Sequence, residues 1–144
     1  MVQSRILIVD ANVLIDYAST DEAVLALASA HLGEIVVASP VLDEVEALDE
    51  ADCDRLGLRI VDPALEQLLE AASQRGRLSF EDHVCLIIAR DNSWTCVTSD
   101  GRLRAACVEV GIEVMWSLDL LVALVSADAL PAGDAIASRP SCTG

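Results

Sequence analysis

Lysine is absent from the chain: all nine basic residues are arginines, set against 24 aspartates and glutamates, for a formal net charge of −15. That balance excludes a general basic coat for nucleic acid, so a polyanionic ligand has to be reached through metal ions or a local arginine group. Paired cysteines are missing as well. Cys53, Cys85, Cys96, Cys107 and Cys142 stand singly, odd in number and without CxxC or His-flanked spacing. This excludes a disulfide framework or a zinc site and reads as reduced core thiols. No apolar run is long: an acid interrupts each one before the roughly 18 residues that a membrane span requires. The first run, residues 6–9, stops at Asp10. It is too short for the core of an export signal, so the expected compartment is the cytoplasm and no membrane partner is expected. Internal repeats and low-complexity linkers are also lacking.

What is present is enough for one compact domain. The chain has 144 residues, 53% of them apolar, which excludes disorder even at this charge. Short β-branched runs alternate with helical periodicity, the pattern of a parallel sheet covered by helices on both faces. Strands are expected over residues 6–9, 35–38, 58–61, 95–98 and 112–115. A short helix is expected near Asn12, and Thr20 is placed to cap a helix over 21–31 with Gly33 after its end. Ser39-Pro40 and Asp62-Pro63 each open a further helix. Ser79 caps 80–91, Gly111 ends the helix after Asp100, and Ser117 caps a last helix to about residue 125. The domain is expected over 1–126, with 127–144 as a tail that is either loose or a short added helix.

Four acids fall where a solvated acid would not. Asp10 ends the first strand directly after Ile-Leu-Ile-Val, and Asp100 ends the fourth in the same way. Both positions suit helix caps, but in an open parallel sheet the carboxyl ends of the strands are also where ligands bind. Two carboxylates at one edge repel unless a cation lies between them. Glu44 lies on the stripe of Val41, Val45 and Leu48 in the helix from Pro40, and a carboxylate on a core-facing stripe has to be paired or bind a metal; Asp43 is the fallback. Asp82 follows Ser79 as in a capping box, yet it opens an apolar helix whose N-terminus faces the same edge. Four carboxylates from separate elements, with no His or Cys companions, suit a hard cation, Mg²⁺ or Mn²⁺, which supports phosphodiester hydrolysis. His31 and His83 are read as structural.

The segments ILIVDANVLID, SPVLDEVEAL, LSFEDHVCLIIA and TCVTSDGRLRAAC, in that order and spacing, resemble the PIN domain, a small metal-dependent nuclease, over residues 6–124. The resemblance implies an α/β fold of three layers, α/β/α, with a five-stranded parallel sheet in the order 3-2-1-4-5. It implies Asp10, Glu44, Asp82 and Asp100 as catalytic and metal-binding residues for Mg²⁺ or Mn²⁺. Asn12 matches a polar position beside the pocket, and Thr98 or Ser99 matches a small hydroxyl residue before the last Asp. Arg102 and Arg104 flank Asp100, where Arg102 in particular is placed for substrate phosphate. The implied activity is that of an endoribonuclease, as in VapC-type toxins, with RNA as substrate, an antitoxin protein as partner and a homodimer as assembly. Receiver domains and haloacid-type phosphatases also place acids at strand ends, but both need a nearby Lys. The remaining alternative is a PIN-like module that binds without cutting.

Overall fold

The computed structural model describes residues 5–76 and 78–126. Among these residues thirteen elements follow one another: β1 (Arg5–Val9), α1 (Ala11–Thr20), α2 (Ala23–His31), β2 (Gly33–Ala38), α3 (Ser39–Asp43), α4 (Glu50–Leu56), β3 (Arg59–Val61), α5 (Leu65–Ser73), α6 (Phe80–Asn92), β4 (Thr95–Thr98), α7 (Gly101–Glu109), β5 (Val114–Trp116) and α8 (Ser117–Ser126). The strands form one sheet in the order β3-β2-β1-β4-β5, parallel at every pairing. Helices α2 and α4 pack with α8 or with each other on one side, and α3, α5, α6 and α7 form the other layer. The expected three-layer α/β/α fold and strand order are therefore observed.

The central strands are buried on both faces because their runs are apolar or β-branched: Leu7, Ile8 and Val9 of β1 and Cys96, Val97 and Thr98 of β4 are fully buried. Helix α6 is the interior helix of its layer, and residues 84–89 are all buried, so its N-terminus is held against the sheet. Gly33 opens β2 at φ 152°, and a Cβ there would run into the carbonyl oxygen of Arg5; only glycine lets β2 start this close to β1. Among the described residues, Cys53, Cys85, Cys96 and Cys107 are free and buried, as core thiols should be, and no helix is long and apolar enough to cross a membrane. Cys142 and the expected tail over 127–144 lie outside the described residues.

Several local expectations need correction. The helix near Asn12 is not short but ten residues long. Thr20 ends α1 instead of capping α2, because its hydroxyl donates back to the Asp16 carbonyl at 2.6 Å, the helix-internal alternative open to threonine. The helix from Ser39-Pro40 stops at Asp43, and a separate helix, α4, follows with a capping box between Asp49 and Asp52. Helix α5 starts at Leu65, past Asp62-Pro63, where the Gln67 side chain accepts the Ala64 amide at 2.9 Å. The last strand lies two residues later than expected at its start, at Val114–Trp116.

Candidate active site

Asp10 is the first residue past β1 and the N-cap of α1, and its side chain is 1% exposed. Its amide continues the ladder by donating to the Val97 carbonyl at 3.1 Å. The Val13 amide donates to its Oδ1 at 2.9 Å, and the Thr98 hydroxyl donates to its Oδ2 at 2.5 Å. The Thr98 oxygen in turn accepts the Asp100 amide at 3.0 Å. One fully buried hydroxyl thus fixes the carboxylate at the end of β1 and the backbone of the acid at the end of β4. Of the two small hydroxyl residues in this segment, Thr98 makes these bonds, while Ser99 is exposed.

Burial pushes the Asp10 carboxyl up to about 6, against the pull of its two hydrogen bonds, and the charges of Asp82 and Asp100 push it further. Both acids are therefore near enough to repel it, from α6 and from the start of α7. Asp82 completes a capping box: Ser79 accepts the Asp82 amide at 3.1 Å, and the Asp82 Oδ2 accepts the Ser79 amide at 3.3 Å. Asp100 caps α7, its Oδ1 accepting the Arg102 amide at 2.8 Å. The capping role and the edge position expected for these acids coexist.

Glu44 departs from expectation. It is exposed and lies just after α3, so it is no member of a buried helical stripe. Its charge falls on Glu81, whose carboxyl is raised by partial burial, by Glu44 and by Asp82. The acids therefore form a chain across the sheet edge, Glu44 to Glu81 to Asp82 to Asp10 to Asp100. Glu81 was not singled out in the sequence, where an acid in the first turn of a helix reads as dipole compensation. Asn12 and the Arg102 side chain are exposed at the same edge. Beneath it lies Cys85, whose thiol donates to the Val9 carbonyl at 3.8 Å and is held neutral by burial and by Asp10 and Asp82. It is not an available nucleophile. The buried Nε2 of His83 has no hydrogen-bond partner among the described residues.

The donor chemistry fits a hard divalent cation, since the anionic donors at the edge are carboxylate oxygens. Asp82 Oδ1 and Asp100 Oδ2 make no hydrogen bond among the described residues. Convergence is incomplete: among the described residues, no three His, Cys, Asp or Glu side chains stand close enough to hold an ion unaided.

No protein-family model and no curated protein matches the sequence. Solved structures are similar in three dimensions. A PilT N-terminus domain protein from the hyperthermophilic archaeon Sulfolobus solfataricus, SSO1118, superposes with a TM-score of 0.59 at 12% identity, over 85% of this chain and 92% of that one. PAE2754 from Pyrobaculum aerophilum superposes with a TM-score of 0.57 at 21% identity, over 85% and 90%. The sheet order, the two helical layers and these superpositions together show that the chain has the PilT N-terminus, or PIN, domain fold.

Proposed function

We propose that the chain is a metal-dependent endoribonuclease acting at the edge formed by Asp10, Asp82 and Asp100, with Glu44 and Glu81 at its rim. The observation that carries this reading is Asp10: a buried carboxylate fixed by two hydrogen bonds, raised to about 6, and facing two further carboxylates. Such a cluster costs stability unless a cation neutralises it. Mg²⁺ or Mn²⁺ bound there supplies neutralising charge, a hold on a phosphate oxygen and a water of lowered pKa.

The chain's own residues supply the rest. Thr98 holds the Asp10 carboxylate and the Asp100 backbone, and the Arg102 amide holds the Asp100 carboxylate, so neither carboxylate has to be ordered when substrate arrives. Asp82 Oδ1 and Asp100 Oδ2 are the oxygens left over from capping, and these two with Asp10 are assigned as ligands. Glu44, on its exposed turn, completes the set from the rim, either directly or through water. Asn12, Ser99 and Arg102 line the entrance as contacts for substrate. A toxin role beside an antitoxin and a homodimeric assembly belong to this reading through the family resemblance.

A second reading, a PIN-like module that binds without cutting, is favoured by the incomplete convergence of ligands among the described residues. One assay separates the two. Single-stranded RNA incubated with the purified protein should be cleaved in Mn²⁺ and left intact in EDTA, and Asp10→Asn should abolish cleavage. If no RNA is cut in Mn²⁺ at any ionic strength, the non-cutting module is the correct reading.

A further inference from the structure

Trp116 is the last residue of β5 and pairs with Thr98 of β4, which lies one step past the Val9–Val97 pair of β1 and β4. Trp116, Thr98 and Asp10 therefore form one row across three neighbouring strands at the carboxyl edge. With strands about 4.8 Å apart, the Trp116 backbone is on the order of 10 Å from that of Asp10. Trp116 is 38% exposed, and the Arg104 guanidinium lies 5.1 Å from its ring centroid. Arg104 is one helical turn beyond Asp100, whose carbonyl accepts its amide at 3.0 Å.

An exposed tryptophan alone says little; the use of Arg104 says more. Among the described residues, Arg5, Arg55, Arg59 and Arg90 are paired with carboxylates, and Arg75 is turned to backbone carbonyls. Arg102 and Arg104 have no carboxylate partner there, in a chain carrying 24 acids. Arg104 instead lies over an aromatic ring beside the acidic edge. The backbone under that ring is anchored: the Trp116 amide donates to Asp119 at 3.0 Å, and the next carbonyl, of Ser117, accepts the buried Tyr17 hydroxyl at 2.7 Å.

We propose that Trp116 and Arg104 form a stacking platform for an unpaired nucleobase, which seats single-stranded RNA with its neighbouring phosphodiester over Asp10 and Asp100. An indole paired with a guanidinium accepts any base face, whereas bases in a duplex are already stacked on one another. Strand selectivity would then come from this pair and not from the carboxylates. The inference rests on the nuclease reading of the edge, and its test separates the two.

Cleavage kinetics in Mn²⁺ on a short single-stranded RNA give the first arm. Trp116→Ala should raise KM about 5- to 150-fold, the range for loss of one stacked base, and should raise KM more than it lowers kcat. Trp116→Phe should restore most of the loss, and Arg104→Gln should raise KM on its own. The two milder variants carry the test if Trp116→Ala does not fold. The second arm needs no catalysis. In a Trp94→Phe background, where Trp116 is the sole indole, the single-stranded RNA in Mn²⁺ should quench its fluorescence saturably, and the same RNA annealed to its complement should quench far less. Cleavage with KM unchanged in all three variants overturns the platform and leaves the nuclease standing. Quenching without cleavage supports the platform and overturns the nuclease. Neither cleavage nor quenching overturns both.

Discussion

At the residue scale, Asp10 makes its own contribution to the pH dependence of the metal-free protein. Its carboxyl titrates near 3.8 when unfolded and about 6 when folded, so between those values the folded state holds more protons. Its contribution is fully present below about pH 4 and is lost as pH rises through about 6, a fall of about 3 kcal/mol. The groups facing it work in the same direction: Asp82 from α6 and Asp100 from the start of α7 oppose its ionisation, and the Cys85 thiol beneath stays neutral. Urea unfolding in EDTA from pH 4 to 8, taken as the difference between wild type and Asp10→Asn, should show this fall; a flat difference would mean that Asp10 titrates as if solvated. Thr98 opposes the rise by donating to Asp10. Thr98→Val keeps the shape but removes that donor and the acceptor of the Asp100 amide. It should cost about 1–3 kcal/mol at pH 7 and move the Asp10 titration upward, as followed by carboxyl NMR.

At the element scale, the N-terminus of α6 carries two demands on one side chain. Asp82 closes the capping box with Ser79 and also faces Asp10. Asp82→Asn loses a favourable charge at a helix N-terminus, about 0.3–1 kcal/mol, and relieves a repulsion of opposite sign. In EDTA its melting temperature should therefore stay near that of wild type, while the shift produced by excess Mn²⁺ should shrink. Uniform destabilisation with the Mn²⁺ shift intact would leave Asp82 a cap and no ligand. This helix was legible in the sequence because its apolar run is long and its cap is local; β1 was legible as a continuous apolar run ended by an acid, and β4 as a short β-branched run, Thr-Cys-Val-Thr, with an acid two residues past it. The helical spacing misplaces Glu44 for a physical reason. Val41, Val45 and Leu48 are all buried as their spacing implies, but beyond Asp43 the inward spacing is kept by turns. There Glu44, Val45 and Leu48 donate to carbonyls three residues back. Spacing of three and four residues reports which side chains face the core, and a chain of turns satisfies it as well as a helix does. Helix α4 was invisible because four of its seven residues are charged, which reads as surface. The meaning of Trp116 depends on sheet register, which no local pattern encodes.

At the scale of the whole molecule, a net charge of −15 makes ionic strength act with opposite signs on stability and on RNA binding. The exposed ion pairs, such as Arg5–Glu113 and Arg59–Glu34, are of a kind that contributes little and is screened by salt. Repulsion among the surplus acids is screened by the same salt, and it outweighs them because acids outnumber arginines by more than two to one. Raising KCl from about 10 mM to 1 M shortens the screening length from about 30 Å to 3 Å, so the melting temperature of the metal-free protein should rise. A monotonic fall would show that the ion pairs dominate. RNA binding should weaken over the same range, because salt competes for phosphate contacts. Arg102 and Arg104 are the described arginines turned to neither a carboxylate nor backbone carbonyls, and the edge of the Arg104 guanidinium is left to meet a phosphate while its face lies on the ring, so about two phosphates are met by side-chain charge. At fixed saturating Mn²⁺, log K against log salt should then have a slope of about −1.4. Arg104→Gln should reduce its steepness by about 0.7, the share of one single-strand phosphate contact. A slope several times steeper in wild type, unchanged by Arg104→Gln, would mean that other cationic groups carry the phosphate contacts and that this pair does not.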